Sequence, residues 1–367
     1  MSDDDEPSRQ LQSTLRDSIT RALATRRPLL THLNADTTWL LSIPCPTYST
    51  NPKGRIYWHI LVDPWLRGGQ SDVAPFFSQQ WHKEPSIVQT IEDVENIIRG
   101  IEDVAGGEPK DRIDAEEDII VIDTRSEDVK MEGREEAAKE GNWIDAVVVC
   151  HEFTDHMHKE TLLEIGKSVP VFAAPTAASR IRSWKHFEFV PEIPRFTGDW
   201  RQSSIYPLPQ WLGISRIAYA GADLLYYHQA IMITFGEEEA EAVIYTPHGI
   251  SPTDLEPVAK ANPNISTLGL LHGLHDIKLG AQLNMGAHNG LKAQRLLGAR
   301  YWIGTHDEIK KGGGLVSWFL ARKIITLKEA IEREKKENGD SLNGTALEAM
   351  ADVRFEELRN GESLILE

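Results

Sequence analysis

The feature that most constrains this chain is an abrupt change of residue type. Val147-Val-Val-Cys150 is an uninterrupted apolar run, and it breaks directly into His151-Glu-Phe153-Thr-Asp155-His156-Met-His158. A short, valine-rich run of this kind suits a strand buried on both faces, in a sheet covered by helices. Polar residues at the carboxyl end of such a strand lie where an α/β sheet presents its site. Imidazole nitrogen and carboxylate oxygen are the ligands that a borderline cation such as zinc accepts. Any one histidine is more often a surface or core imidazole. An adjacent Asp155-His156 at a strand end favours a ligand set, whereas His158 fits the solvated start of a helix equally well.

The helical protease motif His-Glu-x-x-His does not fit. After His151-Glu152 the next histidine is His156, five positions on, and a helical ligand pair needs i, i+4 to share a face.

Around this stretch the chain alternates strands and helices, which predicts one large α/β domain. Residues 1–8 read as a disordered acidic tail, and Leu11, Leu15, Ile19 and Leu23 mark an amphipathic helix over 9–27. Strands are expected at Thr37–Ile43 and Ile56–Val62, the second ending at Asp63-Pro64-Trp65, where proline stops ladder pairing. Residues 66–117 read as a polar, partly helical insertion. A strand at Ile119–Ile122, a charged helix near 126–140, helices at 158–167 and from Pro175, and a strand at Val169–Phe172 follow. Further strands are expected at Ile217–Ala220, Ala230–Phe235, Ala242–Tyr245, Thr267–Leu271 and Tyr301–Gly304, with a helix at Gly290–Leu297. A helical C-terminal extension occupies 325–367, charged and mostly helical over 325–360, so the domain runs over 9–367.

Charge and composition exclude more than they identify. A formal net charge of −17 leaves no basic stripe for a nucleic acid, and Lys310-Lys311 before Gly312-Gly313-Gly314 is too short to supply one. The glycine run resembles a phosphate loop only in composition. Apolar runs are strand-sized, so no membrane segment is expected. The acidic start lacks a signal-like apolar core, and two cysteines give no disulfide framework; both fit a cytoplasmic protein.

The run His151-x-Phe153-x-Asp155-His156 resembles the His-x-His-x-Asp-His motif of the metallo-β-lactamase superfamily, with Phe153 in place of the second histidine. Three other stretches follow in that family's order. Asp63-Pro64-Trp65 resembles the Asp-Pro turn of the lactonase-like branch related to ascorbate-6-phosphate lactonase. His228, before a strand, resembles the third metal histidine. Arg295–His306 resembles the helix, strand and terminal metal histidine that close the site. The resemblance implies an αβ/βα sandwich and metal ligands among His151, Asp155, His156, His228, His248 and His306.

Two departures stand out. Phe153 cannot ligate a metal, and His248, in Tyr245-Thr-Pro-His248-Gly249, stands where the family has an aspartate bridging two metals. Tyr219-Ala-Gly-Ala-Asp223 would supply an aspartate, but ahead of His228, which reverses the family order. Both departures point to one metal ion, zinc by preference and manganese or iron otherwise, on Asp155, His156 and His306, joined by His248.

The resemblance implies a metal-dependent hydrolase using a metal-bound hydroxide on a small-molecule lactone, ester or amide, with Asp155 or His248 handling the proton. His272 and His275, after the strand Thr267–Leu271, are candidates for the substrate pocket with Phe153. The alternative is a protein that kept the fold without catalysis, acting as a binding or scaffold module.

Overall fold

The computed structural model describes residues 25–47, 49, 51, 53–72, 78–106, 142–218, 227–237, 239–313, 321–338 and 353–367. The expected acidic tail, residues 9–24 of the first helix, Ile119–Ile122, the helix at 126–140 and Tyr219–Asp223 lie outside them.

Two six-stranded sheets form the centre. The strands of the first, in spatial order, are Ser363–Ile365 (β17), Leu29–His32 (β1), Trp39–Pro44 (β2), Tyr57–Val62 (β3), Ala146–Val149 (β5) and Val171–Ala173 (β6). Those of the second are Phe355–Glu356 (β16), Tyr301–Ile303 (β13), Ile265–His272 (β10), Ala240–Thr246 (β9), Gln229–Gly236 (β8) and Leu212–Ala218 (β7). Each sheet is mixed: β3, β5 and β6 run parallel, as do β9, β10, β13 and β16, and the remaining pairs are antiparallel.

Side-chain alternation shows why these runs make a sandwich. Along β3, Trp58, Ile60 and Val62 face the second sheet, and Tyr57 and Leu61 face outward to helices. On β5, Ala146 and Val148 point inward, Val147 and Val149 outward; on β8, Ile231, Ile233 and Phe235 point inward, Ala230 and Met232 outward. Both faces are apolar because both are covered, so the runs read as continuous rather than alternating.

The outer layers are helical. Ile91–Ala105 (α1), Lys159–Leu163 (α2) and Pro175–Ser183 (α3) cover the first sheet, with Val94, Ile98, Leu162 and Ile181 in its core. Pro252–Ala259 (α4) and Ala287–Leu297 (α5) cover the second, and Leu327–Asn338 (α6) packs on α5. The layer order is therefore αββα, the sandwich the motif resemblance implies. Helix α1 starts at a capping box, Thr90 accepting from Asp93 N–H and Asp93 from Thr90 N–H.

Several elements extend the sequence reading. The stretch read as an insertion supplies α1, whose apolar stripe completes a core layer. Within the tail read as helix, α6 is helical, and β17 pairs antiparallel with β1 at the edge of the first sheet. Ile217 and Ala218 of the expected strand end a longer one, β7, whose Gly213, Ser215 and Arg216 interrupt the apolar pattern; residues 219–220 lie outside the described residues. Smaller sheets sit at the rim: Ala281–Asn284 (β12), Asp276–Leu279 (β11) and Ala321–Lys323 (β15), and Lys311–Gly313 (β14) with Gln79–Trp81 (β4). Among the described residues no helix is long and apolar enough to cross a membrane.

Candidate metal centre

Topology gathers the polar residues at one rim. Strands β3, β5, β9 and β13 end there, delivering Asp63, the His151–His156 loop, His248 and His306. The antiparallel strands β2 and β8 begin there, delivering Asp36 on the β1–β2 turn and Gln229. Backbone conformation marks the same place. Asp63 and His306 take positive φ, 44° and 58°, a left-handed conformation costly for residues with a Cβ and concentrated at functional sites.

Four imidazoles converge at this rim. The His156 ring centroid is 4.9 Å from that of His248 and 5.1 Å from that of His306, and His248 and His306 are 5.1 Å apart. His151 lies 4.6 Å from His248. One ligand nitrogen each from His156, His248 and His306 falls within 4.8 Å of the other two. His156 Nε2 and His248 Nε2 are 3.3 Å apart, long for a hydrogen bond. Zinc–nitrogen bonds of about 2.0–2.1 Å at tetrahedral angles place ligand nitrogens roughly 3.3–3.4 Å apart. The donor set fits a cation.

Carboxylates behind the rings fix their tautomers. His156 Nδ1 donates to Asp63 Oδ2 at 2.7 Å, and His306 Nδ1 donates to Asp36 Oδ1 at 2.9 Å. Each Nδ1 therefore carries the hydrogen and each Nε2 lone pair faces the common point, the carboxylate–histidine pairing typical of metal ligands. Asp63 is held in turn by Cys150, whose N–H donates to Oδ1 at 2.8 Å and whose thiol donates to Oδ2 at 2.6 Å. Buried His151 Nε2 and His248 Nδ1 have no hydrogen-bond partner among the described residues.

Burial and charge set the protonation states. Burial, reinforced by the neighbouring imidazoles, holds His151 and His248 well below the usual histidine range, so both rings are neutral and can ligate. Burial also lowers His306 against the pull of Asp36. For His156 burial is opposed by Asp155 and Asp63, which together raise its pKa; a cation and a proton then compete for Nε2.

Asp155 is near this cluster but turned toward another partner. Its Oδ1 is 3.7 Å from His156 Nε2 and its Oδ2 3.9 Å from His306 Nε2, while Oδ2 accepts from Lys310 Nζ at 2.8 Å. Lys310 also binds Asp36 Oδ2 at 2.6 Å. Burial would raise both carboxyls, but Lys310 and the imidazoles hold them well below the usual range.

The other candidates are placed as follows. His228 opens β8 at the same rim, close enough to His151 and His248 to lower both; like His151, it is outside the set within 4.8 Å. His158 is buried and caps α2, accepting from Thr161 N–H, so it is not a solvated residue. Phe153 stacks on Tyr227 at 4.7 Å and lines a cavity of about 250 Å³ with His248, His306 and Lys310. His272 and His275 are not among the residues that line that cavity. His272 is buried between the Gly273 carbonyl and Asn289 Oδ1, and His275 Nδ1 accepts from Arg322. Asp36, Lys310 and Arg322 were missed. Asp36 lies in a turn whose only sequence mark is Asn34, which accepts from the N–H groups of Asp36 and Thr38. Lys310 reads only as half of the basic pair Lys310-Lys311.

No protein-family model and no curated protein matches the chain. Solved structures resemble it over most of its length. One is described as a possible metal-dependent hydrolase from Veillonella parvula, at 14% identity over 93% of this chain and 100% of that one, TM-score 0.48. Another is the isothiocyanate hydrolase from Delia radicum gut bacteria, at 13% over 92% and 99%, TM-score 0.48. A third is the metallo-β-lactamase fold protein YhfI from Bacillus subtilis, at 11% over 92% and 99%, TM-score 0.43. From its own layer order and rim, this chain has the αβ/βα sandwich of the metallo-β-lactamase fold.

Proposed function

We propose that the chain is a metal-dependent hydrolase acting on a small-molecule ester, lactone or amide, with one cation held by His156, His248 and His306 beside Asp155. The observation that carries this reading is the pair of carboxylate–imidazole hydrogen bonds, Asp63 to His156 and Asp36 to His306, which aim two Nε2 lone pairs at one point. A purely structural polar cluster has no need to direct lone pairs at each other. The nitrogen-rich donor set favours zinc, with manganese and iron as alternatives. When bound, such a cation supplies an acidified water and polarises a carbonyl.

The chain's own residues do the rest. Asp155 stays ionised beside Lys310 and can take a proton from the attacking water at its Oδ1, the oxygen not bonded to Nζ. Lys310 fixes the carboxylate's orientation through Asp36. The Phe153–Tyr227 stack forms an aromatic wall beside the cavity without filling it, which leaves room for a substrate.

The test pairs two variants across lactones, aryl esters, thioesters, amides and phosphodiesters, with zinc, manganese or iron(II) added. His306→Ala should lose metal and turnover together, because both rest on the same nitrogen. Asp155→Asn should keep the metal and lose turnover. Activity surviving in His306→Ala would sink the reading. A metal-loaded wild type inert on every class favours the non-catalytic binding module instead.

A further inference from the structure

The cavity beside the centre contains two cations in opposite situations. Lys310 is neutralised by Asp36 and Asp155 at 2.6 and 2.8 Å. Arg322 is not. It lies on β15 opposite Ile277 of β11, so the two side chains share a face, and both line the cavity. Its Nη1 donates to His275 Nδ1 at 2.8 Å and reaches the Asp307 carbonyl at 3.4 Å. Neither acceptor carries a full negative charge. Asp307 turns its carboxylate to the Leu274 and His275 N–H groups at 2.7 and 2.8 Å. Among the described residues no carboxylate comes within 4.0 Å of the guanidinium.

The His275 contact also orients the group. Burial first, and then the charge of Arg322, push the His275 pKa down to about 4, so the ring is neutral and its Nδ1 lone pair accepts. A guanidinium anchored through one nitrogen keeps a rigid fork of further donors, the geometry that binds a carboxylate through two parallel hydrogen bonds. Ile277, Leu279 and Leu283 of the β11–β12 hairpin give the cavity one apolar stretch of wall, alongside polar lining from Gln70, Gln80 and Asn284. The remaining acid on the lining, Asp72, accepts from Thr154 N–H and hydroxyl at 2.9 and 3.1 Å.

We propose that Arg322 is the anchor for a carboxylate on the substrate, which is therefore a small molecule with an anionic head, an apolar body against Ile277, Leu279 and Leu283, and a hydrolysable carbonyl at the metal centre. This inference rests on the hydrolase reading above and names its substrate class.

The test uses the full chain loaded with zinc and a series of aliphatic hydroxamates of increasing length. Each carries either a terminal carboxylate or the matching carboxamide, and affinities are measured by titration calorimetry. The hydroxamate reports the metal and the terminus reports Arg322. At one chain length the carboxylate should bind at least tenfold tighter than the carboxamide. Arg322→Gln should abolish that preference and leave carboxamide affinity unchanged; Arg322→Lys should retain part of it, which answers the question even if the glutamine variant folds poorly. Equal affinity at every length in the wild type overturns the inference, as does a preference that survives Arg322→Gln. Failure of both probe types to bind the zinc-loaded protein overturns the metal reading instead, and this inference with it.

Discussion

Lys310→Met is the sharpest perturbation available, because it removes one charge and almost no volume. The ammonium sits on two buried carboxylates, with side-chain exposures of 6% for Lys310, 0% for Asp36 and 12% for Asp155. Removing one partner of a buried pair strands the other and costs about 3–5 kcal/mol. Here two acids are stranded, so the upper part of that range is expected at pH 7 in metal-free protein. Chemical denaturation of both proteins under identical buffer measures it, provided the denaturant slopes agree.

Acidification supplies the check on mechanism. Asp36 and Asp155 have folded pKa values depressed below their unfolded ones, so their contribution is present above about pH 4 and lost as pH falls through the folded values. The variant lacks the largest source of that depression for Asp155 and the second, after His306, for Asp36, so its deficit should shrink between pH 7 and pH 4. Saturating zinc should also shrink it, by supplying a cation to Asp155. A deficit below about 1 kcal/mol at pH 7, in the range of an exposed pair, or one that grows on acidification, would refute the reasoning.

Two further outcomes are expected. Phe153→His restores the ligand missing from the motif beside His151, whose ring centroid is 5.7 Å away; elemental analysis after dialysis should rise from one zinc per chain toward two, and an unchanged value means that Phe153 does not limit the count. His32 is stacked on Trp39 at 3.8 Å, and burial lowers its pKa to about 4; the unfolded chain then binds the extra proton first, so stability is intact above about pH 6.5 and declines toward pH 4, by roughly 3 kcal/mol at about 1.4 kcal/mol per unit. His32→Gln should remove that part of the decline in pH-dependent denaturation.

Burial pattern and rim position were legible in the sequence where local residues determine them. Val147-Val-Val-Cys150 suits a doubly covered strand, and a strand's end is where an α/β sheet opens. The reading failed where partners are distant. Leu29–His32, directly after the 9–27 stretch that reads as a helix, is too short to show a period and is nevertheless a core strand. Helix α1 was absorbed into an insertion because its exposed face is so acidic, although Val94, Ile98 and Ile101 show the inward stripe. Lys310 read as half of a basic pair, yet it is buried by carboxylates 155 and 274 positions away in the chain. No local pattern announces that a lysine will be neutralised by the far end of the sequence.

That distant lysine explains why the motif's departures occur together. By the family resemblance, a two-metal centre would carry a second divalent cation and a bridging aspartate near this point. Here an ammonium lies against Asp155, and a neutral imidazole, His248, falls where the resemblance implies the aspartate. Exchanging a divalent cation for an ammonium removes one positive charge; exchanging a carboxylate for imidazole removes one negative charge. The net charge of the buried centre is unchanged, which matters because uncompensated charge in such a site is costly. Either exchange alone would leave the centre out of balance by one charge. Phe153 completes the set: with the second cation replaced by an ammonium, a histidine at 153 would be a buried ring with no metal to bind, and an aromatic that stacks on Tyr227 is the less costly occupant. On this account Lys310→Met and Phe153→His are each half of one conversion. Combined with His248→Asp, which adds the missing negative charge, they should hold a second zinc more tightly than either single variant.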